Sequence, residues 1–169
     1  MSRPSEFYLA QVNVALAAAR FDSPVMASMV SRIAEINALA ERSPGFVWRF
    51  HNPPGFDWLA PFAGYFGAFE PERIFFNMSV WENVEDLRRY VFETAHVELL
   101  RGKEAWMLPA LRPHLALWWI PGTRLPTVEE SRQRLAFLAR RGPTREAFSF
   151  AKPFPPPVDV TSIPDARQA

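Results

Sequence analysis

Three histidines and two strand-borne asparagines are the residues of this sequence best placed to do chemistry. His96 is foremost: it follows Ala95 in Arg73–Arg101, RIFFNMSVWENVEDLRRYVFETAHVELLR, where Leu87, Tyr90, Val91 and Leu99 recur at helical spacing and set it on or near an apolar helix face. An imidazole there can ligate a metal or heme, act as a general base, or sit in the core bonded to a carbonyl, because it titrates near neutral pH. Glu98, two residues on, faces elsewhere and makes no histidine–carboxylate pair. His51, at a strand end, is a pocket-rim donor or a solvated residue. His114 opens another strand, where its simplest task is a bond to neighbouring backbone. No two histidines stand at i, i+4, so no zinc-type spacing exists.

Asn13 and Asn77 lie inside otherwise apolar strands, and a buried amide there must bond to protein, water or ligand. Tyr90, Trp48 and Trp81 are large aromatic groups that fill a core, form an interface or wall a pocket. The glycines make no G-x-G-x-x-G loop, and no G-x-S-x-G elbow occurs, which disfavours nucleotide cofactors and serine hydrolysis.

The elements that must hold these groups follow from patterning. Phe7–Leu16 alternates as a strand, with Tyr8, Ala10, Val12 and Val14 on one side and Leu9, Gln11 and Asn13 on the other. Ser23-Pro24 starts a helix with a capping hydroxyl, and its stripe Met26, Met29, Val30, Ile33, Ile36, Asn37 and Ala40 is expected to be buried. After Ser43-Pro44-Gly45, Gly45–His51 reads as a strand with Phe46, Trp48 and Phe50 on one face. Ile74–Trp81 is a third strand, and Asn83 caps the helix after it with Asp86 as capping-box partner. Pro113–Ile120 is a fourth strand. Thr127 opens a last helix, placed at the domain surface, that Gly142-Pro143 stops. Phe148–Phe150 suits a short edge strand, and the chain beyond is proline-rich. Asn52–Glu72, with four prolines and six aromatics, has no regular period and reads as a lid or an interface loop.

Composition narrows the function classes. The 169-residue chain has no cysteine, which removes disulfides, thiolate metal sites and cysteine nucleophiles. A net charge of +1 offers no electrostatic footprint for nucleic acid or an anionic membrane. The apolar stretch near the N-terminus is too short to span a bilayer and lacks a clean signal-peptide order, so a cytoplasmic protein is expected. The order β-α-β-β-α-β plus a helix predicts an α+β domain over residues 5–150, with a ferredoxin-like split βαβ and a four-stranded antiparallel sheet, followed by a tail over 151–169. The second sheet face, assigned Phe7, Phe46, Trp48, Phe75 and Trp118, is too apolar to stay wet, which predicts a homodimer packed sheet to sheet.

LAQVNVA (Leu9–Ala15), INALAERSPGFVWR (Ile36–Arg49), NMSVWENVEDLRRYVF (Asn77–Phe92), AHVELLR (Ala95–Arg101) and PHLALWW (Pro113–Trp119) resemble the dimeric α+β barrel superfamily, which includes antibiotic-biosynthesis-monooxygenase-like proteins. Over Tyr8 to Phe150 the closest similarity is to an uncharacterised bacterial family within it. The resemblance implies a monooxygenase-like enzyme acting on a hydrophobic small molecule in an apolar pocket, without nucleotide cofactor. His96 would be the base, Asn13 and Asn77 would position oxygen atoms, and Tyr90, Trp48, Trp81 and His51 would line the pocket. Heme-degrading members use a strand asparagine, a helix tryptophan and an alanine–histidine pair; Asn13 and His96 match the first and last, while Tyr90 stands at the tryptophan position. This implies an alternative, a heme-binding protein with His96 as axial ligand. A non-enzymatic small-molecule-binding or structural dimer is the third.

Overall fold

The computed structural model describes residues 6–67, 71–99, 101–109 and 112–158. Ser5, residues 68–70 of the expected lid, Leu111 and the tail from 159 lie outside the described residues. Four strands, β1 (Phe7–Leu16), β2 (Phe46–Arg49), β3 (Ile74–Trp81) and β4 (Leu115–Pro121), form one antiparallel sheet in the order β2-β3-β1-β4. The helices are α1 (Ala27–Glu41), α2 (Val84–Glu93), α3 (His96–Leu99) and α4 (Val128–Arg141). This is the ferredoxin-like arrangement, with β1 and β3 central and β2 and β4 at the edges.

Local signals set several element ends. The Asn83 side chain accepts the Asp86 amide at 2.8 Å and its own amide donates to the Asp86 carboxylate at 2.7 Å. Thr127 accepts the Glu130 amide at 3.1 Å, and Gly142, at φ 68°, closes α4. Ser23 is different: its hydroxyl caps nothing, because Pro24–Met26 forms a 3-10 turn and α1 begins only at Ala27. Gly45 adopts φ 75° where a Cβ would collide with the Asp86 side chain, and its carbonyl accepts the Glu82 amide at 2.7 Å.

A register shift between Phe46 and Trp48 changes the expected faces. The irregularity puts Phe46 on the helix side, edge-on to Trp81, while Trp48 and Phe50 turn to the opposite side. Phe75 packs with Met26, Met29 and Trp106, so it too leaves the face first assigned to it.

That opposite face is not free. The residues Ala10, Val12, Val14, Met78, Val80, Trp118 and Ile120 are buried beneath Val128, Leu135 and Leu138 of α4 and beneath Phe62 and Tyr65 of the 52–72 segment. That segment is therefore not a lid over His96; it is a cover for the sheet, entered by a turn in which the Asp57 carboxylate accepts the amides of Leu59 and Ala60. One chain thus supplies its own second layer over this face. α4 is likewise a buried-face helix, not merely a surface one.

Burial holds this together. Trp81 and Trp118 are wholly buried, and each contributes about 4–6 kcal/mol by area. Exposed pairs such as Arg101–Glu98 contribute roughly 0–1 kcal/mol. The chain after α4 joins the core as well. Phe148 exchanges two 2.9 Å backbone bonds with Leu117, and the Phe154 carbonyl accepts the Trp119 indole N–H, so the start of the proline-rich tail is anchored through Phe154.

Candidate functional site

The helix side of the sheet carries a polar patch in an apolar field. Asn13 and Asn77 are directly opposite in the β1–β3 register, and Gln11 and Ser79 are the next pair. With a period of two, all four side chains point to the same face. The Gln11 amide donates to Asn77 Oδ1 at 2.9 Å and to Ser79 Oγ at 3.0 Å, and Trp81 Nε1 donates to the same hydroxyl at 2.9 Å. Gln11 and Ser79 are buried; Asn13 and Asn77, on the two central strands, are only half-buried. The Asn13 side chain makes no hydrogen bond to a described residue, and the Asn77 N–H donors are unused among them.

The inner stripe of α1 is only partly buried. Of the predicted stripe within α1, Met29 and Ala40 are buried, whereas Ile33, Ile36 and Asn37 are half-buried and Val30 is 40% exposed. A groove of about 460 Å³ runs along this helix past Val30, Ile33 and Asn37 to Arg49, which pairs with Glu41 at 2.6 Å. A second cleft, about 300 Å³, opens between Leu59, Phe62 and Phe66 of the sheet-covering segment and Ile74 of β3, away from His96.

His96 does not ride on a continuous helix. Thr94, in extended conformation, ends α2: its hydroxyl donates to the Tyr90 carbonyl at 2.6 Å and accepts the His96 amide at 3.2 Å. A side chain that satisfies both helix-end groups stops the helix there and starts α3 at His96. The His96 Nδ1 sits 3.1 Å from the Val91 carbonyl, so Nδ1 carries the hydrogen and Nε2 is the free acceptor. Burial pushes the His96 pKa down, the Val91 carbonyl opposes this, and the Lys103 ammonium adds to the depression. His114 is lowered by the same two causes, burial and Lys103, so one cation acts on both imidazoles. His114 also gives its carbonyl to the Val14 amide at 2.8 Å, beside Asn13.

Tyr90 joins these parts. Its ring stacks on Trp81 at 5.1 Å and packs against His96 at 4.7 Å, and its hydroxyl donates to the Ile36 carbonyl of α1 at 3.3 Å. Burial lifts its pKa to about 12, so it is a neutral phenol throughout the physiological range. A continuous series of contacts leads from His96 through Tyr90 and Trp81 to Ser79, Gln11 and Asn77.

Of the residues singled out in the sequence, His96, Tyr90 and Trp81 come together, and Asn13 and Asn77 share the sheet face they overlook. Trp48 does not belong to this group: it lies across the sheet. His51 is exposed at the start of the sheet-covering segment and lines nothing near His96. Gln11, Ser79, Thr94 and Lys103 were overlooked, although Gln11–Asn13 and Asn77–Ser79 are period-two polar pairs in apolar strands. Among the described residues no group of three His, Cys, Asp or Glu side chains could hold a metal ion, and no helix is long and apolar enough to cross a membrane.

Residues 8–163 match the family model described as a domain of unknown function, DUF3291. No curated protein matches. Among solved structures, the chain is similar to SnoaB, a cofactor-independent oxygenase from Streptomyces nogalater, with 15% identity, coverage of 70% of this chain and 95% of that one, and a TM-score of 0.43. It is also similar to PA3566 from Pseudomonas aeruginosa, with 15% identity, coverage of 74% and 100%, and a TM-score of 0.41.

Proposed function

Because the chain belongs to the DUF3291 family, a domain of unknown function, its chemistry has to be read from the site, and we propose a monooxygenase-like enzyme acting on a hydrophobic small molecule without a nucleotide cofactor. The observation that carries this reading is the His96 imidazole. It is held neutral, anchored through Nδ1 on the Val91 carbonyl and walled by Tyr90, on the same side of the sheet as the uncommitted amides of Asn13 and Asn77. In this reading His96 Nε2 takes a proton from an acidic carbon of an enolisable aromatic substrate, and the two amides donate to the oxyanion that forms. The carbanion reduces dioxygen and bonds to it. The resulting hydroperoxide recovers the proton and loses water, so a CH₂ becomes a carbonyl while one oxygen atom leaves as water. Every residue invoked lies on one chain.

Oxygen uptake by the purified protein across a panel of enolisable aromatic ketones tests this. Uptake is expected with a member of the panel, together with loss on His96→Gln and a reduced rate on Asn13→Ala. Uptake that is absent, or indifferent to His96→Gln, overturns it.

The same nitrogen favours one other reading. With Nδ1 fixed by a carbonyl, Nε2 is an intact donor for iron, and His96 would be the axial ligand of a bound heme, supplying the anchor while the apolar helix side shields the macrocycle. Hemin titration followed by absorbance separates the two: a stoichiometric Soret shift lost in His96→Ala supports heme, and its absence removes it. A dimer with a purely structural or storage role predicts neither response.

A further inference from the structure

On the face of the sheet opposite His96, three side chains from separate segments meet. The Arg132 guanidinium of α4 lies 4.7 Å from the Tyr65 ring centroid, and that of Arg112, in the approach to β4, lies 6.0 Å from it. The Tyr65 hydroxyl donates to the carbonyl of Pro113, which ties the ring to the segment carrying Arg112. Tyr65 is itself only 3% exposed and wedged between Phe62 and Phe66, so it is a rigid platform.

The two guanidiniums differ from others in and before α4. Arg124 and Arg134 both grip Glu130, at 2.7 and 3.0 Å, and share its charge. Arg112 and Arg132 pair with no carboxylate among the described residues, and the Nε of Arg132 is buried without an acceptor. Two like charges held against one ring repel each other, and a buried donor without an acceptor is costly. A guanidinium laid on an aromatic face still offers its in-plane N–H groups edge-on, the geometry that receives a carboxylate or phosphate in bidentate fashion. We propose that Arg112 and Arg132, set against Tyr65, form a binding site for a small oxyanion, a carboxylate or a phosphate, on the sheet face remote from His96. Its ligand neutralises the pair.

Calorimetric titration of the full chain with sodium phosphate and, separately, sodium benzoate, at ionic strength fixed with chloride, tests the site. Saturable single-site heat is expected for at least one anion; phosphate alone identifies the phosphate class, benzoate alone the carboxylate class. Arg112 is exposed, so Arg112→Gln should keep the fold by circular dichroism while weakening binding about tenfold or more. Arg132→Lys keeps the charge but not the planar fork and weakens binding as well. Absence of saturable heat with both anions, or wild-type binding in Arg112→Gln, overturns the proposal.

Discussion

The phenol ring of Tyr90 packs 4.7 Å from the imidazole of His96, tilted by 51°, and this contact connects the helix layer to the polar patch of the sheet. Tyr90 also stacks on Trp81, whose indole N–H is spent on Ser79. The histidine is thereby referenced to β3 through two aromatic rings, although it lies in a separate short helix.

Burial and Lys103 place the His96 titration midpoint below the ordinary 6.5, against the opposing pull of the Val91 carbonyl. The unfolded chain then binds the proton more readily, so the contribution of this group to stability is complete above 6.5 and declines as pH falls toward the folded-state value. Proton-resolved titration of the three histidines by NMR should show the depressed midpoint. Lys103→Met should raise it for both His96 and His114. A midpoint at or above 6.5 would contradict the burial drawn here.

Tyr90→Phe removes one hydrogen bond, from the hydroxyl to the Ile36 carbonyl, and leaves both ring contacts in place. The expected cost in urea denaturation is about 1 kcal/mol. Absorbance titration of the wild type should show a tyrosine that ionises only near pH 12, missing in the variant.

Thr94→Val deletes the hydroxyl that accepts the His96 amide and donates to Tyr90. The volume is nearly conserved, so the effect reads the break itself. Stability should fall by about 1 kcal/mol, helical signal should rise as α2 extends into α3, and the His96 ring resonances should move. Unchanged His96 resonances would show that the threonine does not set its position.

Gly45→Ala combines a left-handed backbone angle with a collision against Asp86, the partner of the Asn83 cap. A loss of about 2 kcal/mol is expected from strain and cap displacement together. Gly55→Ala, at nearly the same φ but in open space, should cost less. Equal losses would assign the whole effect to backbone strain.

Much of the architecture was legible in local patterning. The Val12–Val14 alternation, the Asn83 and Thr127 caps and the Gly142 stop each act through residues within four positions, and each occurs as expected. The interior of the candidate site was legible only in part. His96, Asn13 and Asn77 stand out as polar residues in apolar runs, but Gln11 and Ser79 do so equally and are the ones that hold the network together. Phe46 and Trp48 were expected on one face of β2, and a single irregularity between them puts Phe46 on the helix side and leaves Trp48 on the other.

The sequence by itself determined the order of strands and helices, the alternation that splits β1 and β3 into two faces, and the supply of one histidine next to an apolar helix. These depend on periods of two and 3.6 residues and on capping chemistry. Only the tertiary structure decided that the chain covers its own second sheet face with Phe62, Tyr65 and α4, that Gln11 and Ser79 are buried while Asn13 and Asn77 stay half-buried, and that Tyr90 bridges Trp81 to His96. Those outcomes depend on packing between segments tens of residues apart, where burial of large aromatic area outweighs any local preference.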